Sequence, residues 1–151
     1  MPHPQSRKNV YFDSCVWIAF INKEKEYENV YGLIRKAQKG DIIIYTSMVS
    51  FVEVAKRDEI EEDRAKKLFY YDFVRVLQMD WLIASLARNF VRSGTQPLDA
   101  IHLASACEHK CDIIYSYDKD LLKYNGSTSP DGHQLVVIKP PLPEDPTLPL
   151  Q

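Results

Sequence analysis

Short apolar runs alternate along the chain with longer segments of helical periodicity. Runs rich in β-branched and aromatic residues predict strands at Asn9–Phe12, Asp41–Thr46, Phe73–Gln78, Asp112–Ser116 and Leu135–Ile138. Apolar residues at helical spacing, bounded by capping residues or glycine, predict helices at Ser14–Ile21, Glu24–Lys39, Met48–Arg57, Ile60–Tyr71, Asp80–Ser93 and Pro97–Lys110. Because strands alternate with helices, we predict an α/β fold with a central, mainly parallel sheet flanked by helices.

The two ends of the chain differ in composition from the segment between them. Residues 1–8 are polar and include two prolines, so we predict a flexible N-terminal arm. Residues 139–151 contain five of the nine prolines and form a predicted proline-rich tail. The remaining segment, residues 9–138, has the length of one domain.

Composition and charge exclude several classes of protein. The formal charge of −2 provides no broad basic field for nucleic acid, and the five glycines cannot form a glycine-rich nucleotide-binding loop. No apolar run approaches the ~20 residues that span a bilayer, so no membrane association is expected. Three cysteines without a CxxC spacing indicate reduced thiols in a cytoplasmic protein.

Four acidic residues lie where predicted strands give way to helices or where helices begin: Asp13, Glu53, Asp99 and Asp118. Taken singly, each has a structural explanation, as a helix cap, a turn residue or, for Glu53, an ion pair with Arg57. Asp and Glu at the carboxyl edge of one sheet also converge where such folds bind ligands. The coincidence of four acids at this edge favours a shared site.

Four carboxylates in one pocket repel each other unless a cation neutralises them. Carboxylate oxygens are preferred by Mg²⁺ or Mn²⁺, whereas zinc would require His or Cys as well. With the four acids neutralised, the rest of the chain carries −2 + 4 = +2, which suits a polyanionic substrate. The pattern therefore indicates metal-assisted hydrolysis of a phosphodiester.

Four segments in the same order resemble the PIN domain family, which includes the VapC-type toxins of toxin–antitoxin pairs: YFDSCVWIAF, SFVEV, PLDAIHLASA and YSYDKDLL. The resemblance covers roughly Val10 to Ile138. It implies a Mg²⁺- or Mn²⁺-dependent endoribonuclease that cleaves RNA, is blocked by an antitoxin protein and forms a homodimer.

The resemblance also implies roles for particular residues. The catalytic and metal-binding quartet would be Asp13, Glu53, Asp99 and Asp118, with Asp120 able to share or take the role of Asp118. Ser14 and Ser116 match the hydroxyl positions that support the acids. Cys15 is a departure, since the family often has Asn there and Cys is a weak donor.

Two other functions fit parts of this pattern. The first alternative is a catalytically inactive PIN-like module that binds RNA or protein. The second is a receiver-like phosphoacceptor, which also carries acids and Mg²⁺ at strand ends. That arrangement needs adjacent acids after the first strand, but Asp13 is followed by Ser14 and Cys15.

Several residues near the acids have both structural and functional interpretations. We favour a satisfied core position for His102, one helical turn after Asp99, over a role in positioning the metal site or a phosphate. Solvated surface charge is favoured over phosphate binding for Lys56, Arg57, Lys119 and Lys123. Core packing is favoured over a dimer surface for Tyr70, Tyr71 and Phe73.

Overall fold

A parallel sheet forms the centre of a computed structural model of the chain, which describes residues 7–55 and 62–144. Its five strands are β1 (Lys8–Phe12), β2 (Ile42–Ser47), β3 (Val74–Leu77), β4 (Ile113–Tyr115) and β5 (Val137–Ile138). Their order is β3-β2-β1-β4-β5, and every pairing between neighbours is parallel. On the central strand, Val10 lies opposite Ile44 on one side and Ile113 on the other. The predicted α/β class is confirmed.

Helices connect the strands and cover both faces of the sheet. They are α1 (Ser14–Ile21), α2 (Tyr27–Gln38), α3 (Met48–Val54), α4 (Glu62–Phe69), α5 (Trp81–Arg92), α6 (Pro97–Glu108) and α7 (Lys119–Leu122). Helix α2 begins three residues later than predicted, since residues 24–26 form a turn after Lys23, which has a positive φ of 49°. Helix α7 was not predicted, because one turn is too short to show a period. The predicted ends near Arg57 and Ile60 lie outside the described residues.

The pleat of β1 sends its side chains into two separate cores. Val10 and Phe12 pack on one face with Trp17 and residues of α1 to α4. Tyr11 points to the opposite face, where it packs with Leu103 and other residues of α5 and α6. All of these side chains are buried, so both faces of the central strand are shielded from water.

The order of the strands places a topological switch point between β1 and β4. From β1 the chain builds outward through β2 and β3, and it then returns to the other side of β1 to add β4 and β5. The connections that leave β1 and β4 therefore diverge at the carboxyl edge of the sheet, the position at which open α/β sheets bind ligands. Asp13 and Ser116 directly follow these two strands.

Both termini are ordered further than the sequence suggested. Lys8, predicted to belong to the flexible arm, pairs with Ile42 as the first residue of β1. The tail runs along α2, where Gly32 faces Pro143 and the Lys36 ammonium lies 2.6 Å from the carboxylate of Glu144. None of the helices in the described part of the chain is long and apolar enough to cross a membrane.

The aromatic residues after α4 do not share one environment. Phe73 packs against the core, as predicted, but Tyr70 is 79% exposed and Tyr71 is 45% exposed. The prediction of core packing is wrong for these two tyrosines. They lie in the turn after the last helical residue, where the backbone no longer directs side chains towards the sheet.

Candidate active site

Asp13 is a buried carboxylate at the carboxyl end of β1. Its Oδ1 accepts a hydrogen bond of 2.6 Å from the backbone N–H of Cys15 and lies 3.4 Å from Oγ of Ser14, and its Oδ2 accepts one of 2.6 Å from Oγ of Ser116. The first bond makes Asp13 the N-cap of α1. Asp13 is thus the helix cap that the sequence allows, and it is also tied to the neighbouring strand by its second oxygen.

Ser116 joins the end of β4 to the end of β1. Its hydroxyl donates to Asp13 and accepts a hydrogen bond of 2.9 Å from the backbone N–H of Asp118. Because that single proton is committed to Asp13, the Cys15 thiol, 3.5 Å away, donates to Oγ of Ser116. The Cys15 sulfur in turn accepts from the backbone N–H of Tyr117 at 3.2 Å.

Cys15 therefore takes part in the hydrogen bonds of the site. Burial and the negative charge of Asp13 raise the pKa of its thiol well above the usual range, so the thiol stays protonated at neutral pH. A protonated thiol donates one hydrogen bond, as the contact with Ser116 requires. Compared with the Asn that the resemblance implies at this position, the Cys15 thiol is a weaker side-chain hydrogen-bond donor.

Asp118 begins the short helix α7. Its Oδ1 accepts a hydrogen bond of 2.9 Å from the backbone N–H of Asp120, so Asp118 is the N-cap. Asp120 lies in the first turn of this helix and is exposed. Both carboxylates therefore lie at the start of α7, shortly after β4.

The pKa of Asp99 is affected by burial and by other acids nearby. It lies in the first turn of α6, two residues after Pro97, and is half-buried. Burial raises its pKa to about 6, and the negative charges of Asp118, Asp13 and Asp120 act in the same direction, against the lowering influence of His102. Asp13, Asp99, Asp118 and Asp120 thus share one region of negative potential at the carboxyl edge of the sheet.

Glu53 meets His102 beside this region. Its Oε1 lies 2.6 Å from Nε2 of His102, whose Nδ1 lies 2.6 Å from the hydroxyl of Tyr11. The Tyr11 oxygen also accepts from the backbone N–H of Ser47 at 3.1 Å. His102 is 2% exposed, so it occupies the core position we favoured, yet its ring contacts a predicted site residue.

The surroundings of His102 shift its pKa in opposite directions. Burial lowers its pKa, but the hydrogen bond to Glu53 and the negative charges of Asp13, Glu53 and Asp99 outweigh burial and raise the pKa above the usual value. The sequence reading left Glu53 paired with Arg57 as an alternative; Arg57 lies outside the described residues.

The basic residues near the acids give no structural evidence of a phosphate-binding cluster. Lys119 is exposed, and the Lys123 ammonium lies 5.6 Å from the ring centre of Tyr124. Lys56 and Arg57 fall outside the described residues. Lys119 and Lys123 are consistent with the predicted solvated surface.

The chemistry of these side chains fits a hard divalent cation. The candidate donors are carboxylate and hydroxyl oxygens, which hard divalent cations prefer, and burial and the neighbouring acids together raise the pKa of Asp99. Within residues 7–55 and 62–144, however, no three His, Cys, Asp or Glu side chains lie close enough together to hold one ion as they stand. Side-chain rotation would have to accompany metal binding.

Two members of this network were missed by sequence reasoning. Tyr11 lies in an apolar strand and resembles any core aromatic residue, while Ser47 contributes a backbone N–H that carries no side-chain signal. Only the pairing of β1 with β2, and the packing of α6 on the same face, brings them to His102.

The family assignment follows from comparison of the sequence with known families. The family model described as the PIN domain matches residues 10–126, which is most of the chain. The chain therefore belongs to the PIN domain family. No curated protein matches the sequence.

Solved structures share the fold at low sequence identity. The VapC20 toxin of Mycobacterium tuberculosis, described as cleaving the sarcin–ricin loop, superposes with a TM-score of 0.61 at 15% identity, covering 76% of this chain and 93% of that one. A toxin–antitoxin complex from Klebsiella pneumoniae gives a TM-score of 0.56 at 19% identity, covering 74% and 88%. VapBC2 of Rickettsia felis, bound to a promoter DNA fragment, gives 0.56 at 15% identity, covering 85% and 96%. These similarities establish a shared fold.

Proposed function

We propose that the protein is a Mg²⁺- or Mn²⁺-dependent endoribonuclease and the toxin of a toxin–antitoxin pair. The observation that carries this proposal is that Asp118, Asp13 and Asp120 are near enough to Asp99 for their charges, together with burial, to raise its pKa. Membership of the PIN domain family and the similarity to VapC structures support it.

In this proposal each residue has a distinct part. Asp13, Asp99 and Asp118 would hold the cation with Glu53, and Asp120 would be an additional ligand near Asp118. Ser116 keeps the end of β4 bonded to Asp13, so that acids from two strands stay in register. Ser14 supports the same carboxylate from the first residue of α1.

The reaction is the addition of water to an RNA phosphodiester. The water oxygen bonds to phosphorus, the bond from phosphorus to the 3′ oxygen breaks, and the 3′ oxygen takes up a proton. The products are a 5′-phosphate and a 3′-hydroxyl. The acids would hold a divalent cation, and the chemistry that it would supply is a lower pKa for the attacking water and stabilisation of charge on the leaving oxygen.

Cleavage of a labelled RNA tests the proposal directly. The probes are a mixed-sequence RNA carrying a fluorophore and quencher, and total bacterial RNA, each with Mn²⁺ or with excess chelator. We expect cleavage with Mn²⁺, none with chelator, and none with Asp99→Asn in either case. Asp41→Asn is the matched control, because it removes an equal charge from an exposed position at the amino end of β2.

A gel-shift assay with the same proteins distinguishes the enzyme from the inactive binding module. If the wild-type protein retains RNA in a gel-shift assay, leaves it uncut with Mn²⁺ and binds it equally well as Asp99→Asn, then the protein is a binding module. The enzymatic proposal would then be wrong.

The proposal includes the partners and the location that the family resemblance implied. We propose an antitoxin protein as inhibitor, a homodimer as the assembly and the cytoplasm as the place of action. The Klebsiella structure is described as a toxin–antitoxin complex, which supports the first. Exposed apolar residues at the start of α5, including Trp81 at 87% exposure, support the second. Sedimentation velocity should give a dimer for the wild type and a monomer for Trp81→Lys.

A further inference from the structure

A continuous chain of hydrogen bonds runs from the backbone of β2 to Glu53. The N–H of Ser47 donates to the Tyr11 oxygen at 3.1 Å, the Tyr11 hydroxyl lies 2.6 Å from Nδ1 of His102, and Nε2 of His102 lies 2.6 Å from Oε1 of Glu53. Tyr11 and His102 are both buried in the core formed with α5 and α6. The chain thus links β1, β2, α3 and α6.

The donors in this chain have a defined direction. An ionised carboxylate only accepts hydrogen bonds, so Nε2 of His102 carries the hydrogen that is shared with Glu53. When the ring is neutral, at pH values above its raised pKa, Nδ1 is an acceptor and the Tyr11 hydroxyl donates to it. The Tyr11 oxygen remains able to accept from Ser47. One arrangement satisfies every group in the chain.

The arrangement matters because Glu53 is the one predicted ligand that does not follow a strand or begin a helix. Asp13 and Asp118 are the N-caps of α1 and α7, so backbone N–H groups hold their carboxylates. Glu53 instead lies in the last turn of α3. A glutamate has three side-chain torsions, and a metal ligand with that freedom loses entropy when it is bound. An anchor in the rigid core reduces this loss.

We propose that His102 is a positioning residue that holds the Glu53 carboxylate for the divalent cation, with Tyr11 fixing the orientation of the His102 ring. The inference rests on the proposed function, since it assigns Glu53 to the metal site. In this arrangement Oε1 of Glu53 stays with His102 while the carboxylate binds the cation. Carboxylate ligands held in this way by neighbouring hydrogen-bond donors bind metal more tightly.

The first test is Mn²⁺ binding by calorimetry to the full-length protein. His102→Leu, which keeps the apolar volume but removes both ring nitrogens, should weaken binding about 10–100-fold. Tyr11→Phe keeps the aromatic packing and should weaken binding less, in the same direction. Circular dichroism at the temperature of the titration checks that each variant is folded.

A matched control separates positioning from a loss of buried hydrogen bonds in general. Tyr124→Phe removes a tyrosine hydroxyl bond of the same 2.6 Å length, to Thr95, which does not involve His102 or Glu53. It should bind Mn²⁺ like the wild type. His102→Gln, whose amide can still donate to Glu53, should recover part of the affinity that His102→Leu loses.

Two further measurements distinguish positioning from a purely structural role. In metal-free protein, the Nε2-bound hydrogen of His102 should give a slowly exchanging NMR signal that Glu53→Ala abolishes. In RNA cleavage, Tyr11→Phe should lower kcat and leave KM for RNA unchanged.

The outcomes separate this inference from the proposed function. Equal Mn²⁺ affinity in the wild type and His102→Leu, or equal loss in Tyr11→Phe and Tyr124→Phe, overturns the positioning role and leaves the ribonuclease proposal intact. A wild-type protein that neither binds Mn²⁺ nor cleaves RNA overturns both.

Discussion

Replacing Asp99 by asparagine should stabilise the metal-free protein at neutral pH. The folded-state pKa of about 6 lies above the ordinary value of 3.8, so between these values the folded state binds more protons than the unfolded state. Stability contributed by the protonated carboxyl is present at low pH and is lost as the pH rises through about 6. At pH 7 the ionised Asp99 therefore destabilises the fold.

The magnitude follows from the same shift. A difference of about two pKa units corresponds to about 3 kcal/mol, and partial solvent exposure of Asp99 reduces this to about 1–2 kcal/mol. Removing an acid from the first turn of α6 also removes its interaction with the helix dipole, which offsets about 0.5 kcal/mol. We expect a net gain of about 1 kcal/mol, or about 2–4 °C in Tm for a domain of this size.

The assay is thermal unfolding with chelator present, from pH 4 to pH 7.5, for the wild type, Asp99→Asn and the control Asp41→Asn. The Tm difference between Asp99→Asn and the wild type should be positive at pH 7 and should shrink towards pH 4. Saturating Mn²⁺ should reverse the order, because a ligand that binds only the folded wild type raises its Tm. If Asp99→Asn is less stable than the wild type at every pH without metal, burial and the neighbouring acids do not destabilise the ionised Asp99 and the reasoning is wrong.

Three further substitutions test the surroundings of the site. Ser116→Ala should lower the free energy of unfolding by about 1–3 kcal/mol in chemical unfolding, because Asp13 loses a buried hydrogen-bond donor. It should also weaken Mn²⁺ binding in calorimetry, and an unchanged affinity would contradict the role of Ser116. Thr46→Val should cost about 2 kcal/mol by urea unfolding, since the Trp17 indole N–H loses its acceptor at 3.0 Å, and a neutral result would refute this. Tyr117→Phe should leave stability unchanged or raise it by about 1 kcal/mol in the same assay, because its buried hydroxyl bonds to no described residue; a loss would reveal a partner.

Much of the fold could be predicted because local patterns and tertiary structure agree. Helix α1 has the predicted bounds, and the strand ending at Phe12 is central and buried on both faces. The prediction missed α7, whose local pattern is too short, and placed the start of α2 too early, because a turn precedes that helix. Tyr70 is exposed although it lies in a run of aromatic and apolar residues, which shows that composition alone does not determine burial where the chain turns.

The candidate acids were predicted from their positions at strand ends and near helix starts, because a residue that follows a parallel strand must lie at the carboxyl edge of the sheet. The partners of those acids were not found in that way. Nothing in the residue order relates Ser116 to Asp13, which are bonded only because β4 pairs with β1. Cys15 was judged by its weak donor strength alone, and its contact with Ser116 depends on the same pairing.

Periodicity, strand-end acids and motif order thus determined the α/β class, the PIN resemblance and the candidate acids from the sequence alone, because each depends on neighbours a few residues apart. Tertiary structure decided the switch point between β1 and β4, the burial and acidic neighbours that raise the pKa of Asp99, and the chain from Tyr11 through His102 to Glu53. Their members are separated by tens of residues, and hydrogen bonds and Coulomb interactions depend on distance in space.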